Sequence, residues 1–209
     1  MSDLGRWDPL TPQQVVDLFW ASPVRPSWWI AGGYAIELFV GRSLRQHADI
    51  DVMILRRDQQ LVHDVLSGWD IRAADPPGHL RSWRARETLP HSVHDIWCRE
   101  DPSGPWRLQV MLDESDGEHW YSRRKSTIAM PIRDLGRHTS DGWPYLSPEV
   151  QLFYKAKALD QLEKDEMDFA AALPHLSLPA RRWLDQALRV TLPDHHWRGA
   201  LNGAGIDTR

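Results

Sequence analysis

Two clusters between Ile30 and Leu55 have residue types and spacing that could do chemistry together. In His47-Ala48-Asp49-Ile50-Asp51 two carboxylates stand two positions apart at the mouth of the apolar run Val52-Met53-Ile54-Leu55. Side chains of a strand alternate between faces, so Asp49 and Asp51 project to one side while Ile50 and Val52 project to the other. Parallel carboxylates on a rigid strand repel each other unless a cation lies between them, and a hard divalent ion such as magnesium is the natural partner. Upstream, Gly32-Gly33 separates the apolar Trp28-Trp29-Ile30-Ala31 from the helical spacing Ala35, Leu38, Phe39, which marks a strand-to-helix turn. Such a turn offers bare N–H groups and the positive end of a helix to a phosphate. Alone, each piece reads equally as a solvated strand end or an ordinary turn; together, at this separation, they point to a metal-dependent nucleotide site.

The elements that must hold these clusters follow from periodicity and punctuation. Thr11-Pro12-Gln13-Gln14 is a capping box that opens a helix running to Ala21, and Pro23 and Pro26 end it ahead of a strand from Ser27 to Ala31. A helix from Tyr34 to Val40 closes on Gly41 as a left-handed cap. Arg42 and Arg45 fall in the loop to the Asp pair, where phosphate contact and plain solvation are both open readings. A helix over Arg57–Leu66 and a strand over Trp69–Ala73 follow, then a turn at Asp75-Pro76-Pro77-Gly78. The period changes to two across a turn at residues 101–104, giving a hairpin of His94–Cys98 and Trp106–Leu112 with Gln109, Met111 and Asp113 on one face. Acidic Asp113–Glu118 and basic Arg123–Lys125 could be two exposed faces. A short edge strand is expected in Ile128–Leu135. From Ser147 the chain turns helical, with Val150, Phe153, Tyr154 and Ala158 on one side, and Ser177 caps a helix over Leu178–Val190. The tail from Thr191 is expected to fray.

The predicted fold class is therefore α/β, a mixed sheet with helices over residues 1–140 followed by a small helical lobe over 141–209. A chain of 209 residues with 42% hydrophobic content can build one good core and a second lobe. A net charge of −4 argues against a general nucleic-acid binder and suits a small cationic acceptor. The single cysteine, Cys98, precludes an intrachain disulfide and fits a reducing interior. With no long apolar run and a polar start, a cytoplasmic protein without membrane contact is expected. The 12 tryptophans are expected mainly in packing, with a few stacking on a base or sugar.

Gly32-Gly33, Gly41-Arg42 and Arg45-x-His47-x-Asp49-Ile50-Asp51 together resemble the signature of the aminoglycoside 2''-nucleotidyltransferase-like family within the DNA polymerase beta nucleotidyltransferase superfamily. Gly-Gly-Tyr stands where the superfamily usually has Gly-Ser. The stretches Leu146–Lys157 and Lys164–Phe169 are similar to the family's second lobe. The resemblance implies that an acceptor hydroxyl attacks the α-phosphorus of a nucleoside triphosphate, with ATP favoured, and that magnesium pyrophosphate leaves. It assigns Asp49 and Asp51 to magnesium, Gly32 and Gly33 to the β and γ phosphates, and Arg42, Arg45 and Lys155 or Lys164 to the triphosphate. His47 either orients the loop or is structural.

The resemblance also calls for a third carboxylate from the neighbouring strand, as base or metal ligand. Gln109 occupies the first place to look, and Asp113, four residues along on the same face, is assigned ahead of Asp95 on the partner strand and Glu114. The expected acceptor is an aminoglycoside-like or related hydroxylated small molecule, with Asp113, Glu114, Asp116 and Glu118 supplying negative potential and Trp120 or Trp143 stacking on sugar faces. The alternatives are transfer to RNA or protein, or an inactive nucleotide-binding module.

Overall fold

The computed structural model describes residues 5–24, 27–157 and 162–203. Helix α1 (Pro12–Ala21) starts on the expected box: Thr11 Oγ1 accepts from the Gln14 N–H at 3.3 Å while Gln14 Oε1 accepts from the Thr11 N–H at 2.8 Å. Strand β1 (Trp28–Ala31) passes directly into α2 (Gly32–Val40), so this helix begins at the glycines and not at Tyr34. Gly41 closes α2 at φ +79° with its N–H on Glu37 O at 2.8 Å.

Strand β2 (Asp51–Leu55) is followed by a 3-10 turn at Arg56–Asp58 and a short α3 (Leu61–Val65), where one continuous helix was expected. The reason lies in the side chain of Gln59, which is buried, donates to Arg56 O at 3.1 Å and accepts from the Leu89 N–H at 2.8 Å. These bonds bind the turn to a distant loop and interrupt the helix.

Strands β3 (Asp70–Ala74) and β4 (Leu80–Ser82) flank the Asp75–Gly78 turn. The expected hairpin is present as β5 (Asp95–Arg99) and β6 (Leu108–Ser115). The meander then continues through β7 (His119–Ser122) and β8 (Lys125–Pro131), so the acidic and basic runs are hairpin ends and not independent faces. The strand expected over Ile128–Leu135 stops at Pro131, and a 3-10 turn spans Ile132–Asp134. Strands β9 (Gly136–His138) and β10 (Pro144–Leu146) precede α4 (Pro148–Lys155), α5 (Glu163–Ala172), α6 (Leu178–Thr191) and α7 (Trp197–Gly203). Ala158, expected on the face of α4, lies outside the described residues. The tail does not fray at Thr191: Trp197 is buried and stacks on Phe169 with ring centroids 4.2 Å apart, which anchors α7.

The ten strands form a mixed sheet in the order β4-β3-β5-β6-β2-β1-β10-β9, with β7 and β8 extending from β6. Parallel pairs β2–β6 and β1–β10 sit among antiparallel neighbours. Central β2 is buried on both faces from Val52 to Leu55, which is why it reads as a continuous apolar run and not as an alternation. Helix α4 packs on α2, α5 and α6, joining the helical segment to the helix that follows the glycines. No helix among the described residues is long and apolar enough to cross a membrane.

Candidate active site

Asp51 opens β2, opposite Ala31 of β1 on one side and Gln109 of β6 on the other. The site therefore lies where β1 ends, β2 begins and α2 starts. Gly32 has φ +67°, and a Cβ there would stand 2.2 Å from Asp51 Oδ2. A Cβ on Gly33 would stand 2.3 Å from His47 Cε1 and 2.4 Å from Arg45 Nη2. The glycines are thus required twice over, since catalytic-type side chains pack directly on the bare turn.

The Gly32 N–H is already donated to Gln151 Oε1 of α4 at 2.8 Å in a buried bond. That corrects the expectation that both glycines offer free N–H groups: Gly32 gives its N–H to α4.

Burial raises the Asp51 carboxyl, the adjacent Asp49 and then Asp95 add to it, and against the opposing pull of Lys155 and Lys164 it reaches about 7. Asp49 and Asp51 are oxygen donors held together at the cost of that repulsion, the donor type a hard divalent ion takes. Among the described residues no group of three or more His, Cys, Asp or Glu side chains stands close enough to hold an ion.

The loop from α2 to β2 is ordered by Glu37, a carboxylate within the apolar helix. Burial opposes its ionisation, but the Leu44 and Arg45 N–H groups at 2.7 and 3.1 Å and the His47 ring hold it below the usual carboxylate range. His47 Nε2 is 2.9 Å from Glu37 Oε1, and its ring lies on Tyr34 at 4.0 Å. His47 is thus held in the loop by Glu37 and Tyr34, an arrangement that fits both readings given above.

Arg45 and Lys155 meet on α5: Arg45 Nη2 is 3.2 Å and Lys155 Nζ 2.7 Å from Asp168 Oδ2. Lys164 is exposed on α5, and its charge still acts on Asp51. Arg42 is exposed just past the α2 cap and joins none of these contacts among the described residues.

Asp113 is not brought to the pair. It is opposite Leu55, four residues or about 13 Å along the strand from Gln109. It is buried, and its Oδ2 accepts from Trp120 Nε1 at 2.7 Å and Tyr154 Oη at 2.5 Å. These bonds tie it between β6, β7 and α4, away from the Asp49–Asp51 end of the sheet.

Asp95 lies nearer the pair. Gln109, facing Asp51 in register, donates from Nε2 to Asp95 Oδ1 at 3.2 Å, and Asp95 is close enough to raise Asp51. The Asp95 side chain is 43% exposed, open to an incoming group. Arg123 bridges the two acids, 3.9 Å from Asp95 and 3.8 Å from Asp113, over the Tyr154 ring. The loop that delivers Asp95 is pinned by buried Arg56, which donates to Val93 O at 2.8 Å and Pro90 O at 3.1 Å and pairs with Glu114.

Sequence reasoning missed Gln151, Arg56 and Asp168 as site-organising groups. The legible signal was a polar or charged residue at an apolar helical position, as Glu37 and Gln151 are; for Arg56 there was none.

The architecture is shared with solved structures. Lincosamide antibiotic adenylyltransferase LnuA, bound to lincomycin, superposes with a TM-score of 0.53 at 18% identity over 78% of this chain and 97% of its own. The antibiotic-resistance factor ANT(2'')-Ia in solution gives 0.50 at 17% over 86% and 87%. Its complex with adenylyl-2''-tobramycin gives 0.50 at 16% over 92% and 97%. Among curated proteins no sequence is significantly similar. The family profile described as aminoglycoside-2''-adenylyltransferase matches residues 13–123, which take in the glycine turn, the Asp pair, Asp95 and Gln109. With more than half of its length matched by that profile, the chain belongs to the aminoglycoside-2''-adenylyltransferase family of nucleotidyltransferase enzymes.

Proposed function

We propose that this enzyme transfers AMP from ATP to a hydroxyl of an antibiotic-like small molecule with the help of magnesium. The observation that carries the reading is the close packing of the Asp51 carboxylate on Gly32 at the start of α2, which brings a carboxylate of the pair beside a helix N-terminus of the kind that suits phosphate. Asp49 and Asp51 would hold the ion, which when bound supplies neutralisation of charge on the α-phosphate and the departing pyrophosphate.

The chain's own groups account for the remaining work. The first turn of α2 at Gly33, with Arg45 and Lys155 beside it, binds and orients the phosphates. Asp95, with Gln109 holding one of its oxygens, accepts the proton of the acceptor hydroxyl as that oxygen bonds to the α-phosphorus and the bond to the pyrophosphate oxygen breaks. LnuA is solved with lincomycin and ANT(2'')-Ia with an adenylylated tobramycin, which supports a hydroxylated antibiotic as the acceptor.

The test is magnesium-dependent pyrophosphate release across nucleotides and a panel of aminoglycosides, lincosamides and neutral sugars. Transfer of labelled nucleotide only into the RNA or protein fraction of a cell extract would replace the small-molecule acceptor. No release or transfer with any acceptor would leave a nucleotide-binding module.

A further inference from the structure

Asp168 is the most completely buried charged group near the glycine turn, at 0% exposure. A single oxygen of it, Oδ2, receives both Lys155 Nζ at 2.7 Å and Arg45 Nη2 at 3.2 Å. The two cations come from separate segments: Arg45 from the loop after α2 and Lys155 from the end of α4, one turn after the Gln151 that holds the Gly32 N–H. Each is tied to the turn independently of Asp168. Arg45 Nη2 lies 2.4 Å from where a Gly33 Cβ would be, and Lys155 stands one turn along α4 from Gln151, whose side chain accepts the Gly32 N–H. Asp165, one turn earlier on α5, adds a contact to Lys155 Nζ at 3.1 Å. The result is a pair of basic groups from two segments joined at one carboxylate that is wholly out of water.

A buried ion cluster of this kind adds little to stability on balance, because the cost of desolvating the charges offsets their attraction, and its best-attested use is to fix geometry. Lysine and arginine side chains carry large rotamer entropy, and holding them before the ligand arrives removes that cost from binding. We propose that Asp168 is a positioning residue for the triphosphate: it holds Arg45 and Lys155 at the glycine turn so that they meet the β and γ phosphates already oriented. The proposal rests on the reading of the site as a nucleoside triphosphate site.

Selectivity between ATP and AMP separates positioning from mere support, since Arg45 and Lys155 are aimed at phosphates that AMP lacks. Calorimetric binding of each nucleotide with magnesium and no acceptor is measured in the wild type and in Asp168→Asn. The expected result is a loss of about tenfold or more in ATP affinity with AMP affinity changed less than about twofold. Equal losses for both nucleotides, or an unchanged ATP affinity, would overturn the proposal. Should Asp168→Asn fail to fold, the same change is made in an Arg45→Gln, Lys155→Gln background, where Asp168 no longer has cations to neutralise. There ATP affinity is expected to be the same with Asp or Asn at 168, and a further loss would show that Asp168 does not act through these two cations. A wild type that binds ATP no better than AMP would instead overturn the triphosphate reading itself, and this inference with it.

Discussion

Asp51 and Gly32 occupy each other's space: the carboxylate oxygen Oδ2 stands 2.2 Å from the point where any side chain at position 32 would begin. Gly32→Ala must displace the carboxylate or unwind the start of α2, and it must also hold alanine at φ +67°. The left-handed conformation alone costs about 1–2 kcal/mol, and the collision adds to it. Denaturant melts should show the full loss in the wild-type background and only the backbone part in Asp51→Ala. Equal losses in both would mean that the collision is relieved elsewhere.

Asp51 also sets a pH dependence. Its carboxyl is held at about 7 in the fold, above its value in the unfolded chain. As pH rises through the unfolded value the unfolded chain gives up this proton first, so the folded state loses stability from about pH 4 to about pH 7 and the loss is complete above that. Asp51→Asn should therefore match the wild type near pH 4 and be the more stable protein at pH 8. The shift is worth at most about 4 kcal/mol, and water on the open side of the pair reduces the expected difference to about 2 kcal/mol. Magnesium should raise the melting temperature of the wild type at pH 8 and leave the variant nearly unchanged. A variant less stable than the wild type at every pH would make the pair structural.

The third carboxylate separates two residues that the sequence ranked in the opposite order. Asp95→Asn is expected to lower turnover at least about 100-fold with little change in melting temperature, as for a lost general base. Asp113→Ala leaves the Trp120 N–H and Tyr154 O–H unpaired in the interior, and it should cost about 3 kcal/mol of stability. Turnover that survives Asp95→Asn, or falls in Asp113→Asn without loss of stability, would restore the role to Asp113.

That reversal shows how far one sequence could be read. Elements with a local signature were legible: the Thr11 box, the Gly41 cap and the β5–β6 hairpin each follow from residues within a few positions of one another, whereas Asp49, expected on the strand with Asp51, precedes it. What failed depended on register. Gln109, Met111 and Asp113 share a face of β6, and periodicity places all of them toward the site equally; only the pairing of Asp51 with Gln109 shows which end is near. The parallel pairing of β10 with β1 joins residues more than a hundred positions apart, and a three-residue strand leaves no periodic trace. Arg124 illustrates the same point at the helical segment. It reads as one of a basic run, yet it donates to Phe153 O at 2.7 Å and Ala156 O at 2.8 Å, closing the end of α4.

The acidic stretch after β6 bears on the acceptor. Expected to present negative charge to a cationic sugar, it is largely engaged within the protein. Asp113 is buried, Glu114 pairs with Arg56 and His91, and Asp116 accepts from Tyr121 Oη at 2.5 Å and from the Glu118 and His119 N–H groups at 2.9 and 2.8 Å. The Glu118 side chain, exposed like that of Asp116, is the one of the four that enters none of these contacts among the described residues. The tryptophans named with them do not serve either. Trp120 is fully buried, and Trp143 precedes β10 at the level of Trp28, the end of β1 away from Asp51. Arg123 meanwhile places a positive charge beside Asp95, where an acceptor hydroxyl would approach. This balance disfavours an acceptor bound through many positive charges. Raising ionic strength from about 0.05 to about 0.3 M, which shortens the screening length from about 14 to about 6 Å, should change the acceptor KM less than about twofold. Arg123→Gln should improve kcat/KM for polycationic acceptors more than for neutral or singly charged ones, because it removes a repulsion felt only by the former. A steep rise of KM with salt, together with an Arg123→Gln that treats all acceptors alike, would return the polycationic aminoglycoside as the acceptor this site is built for.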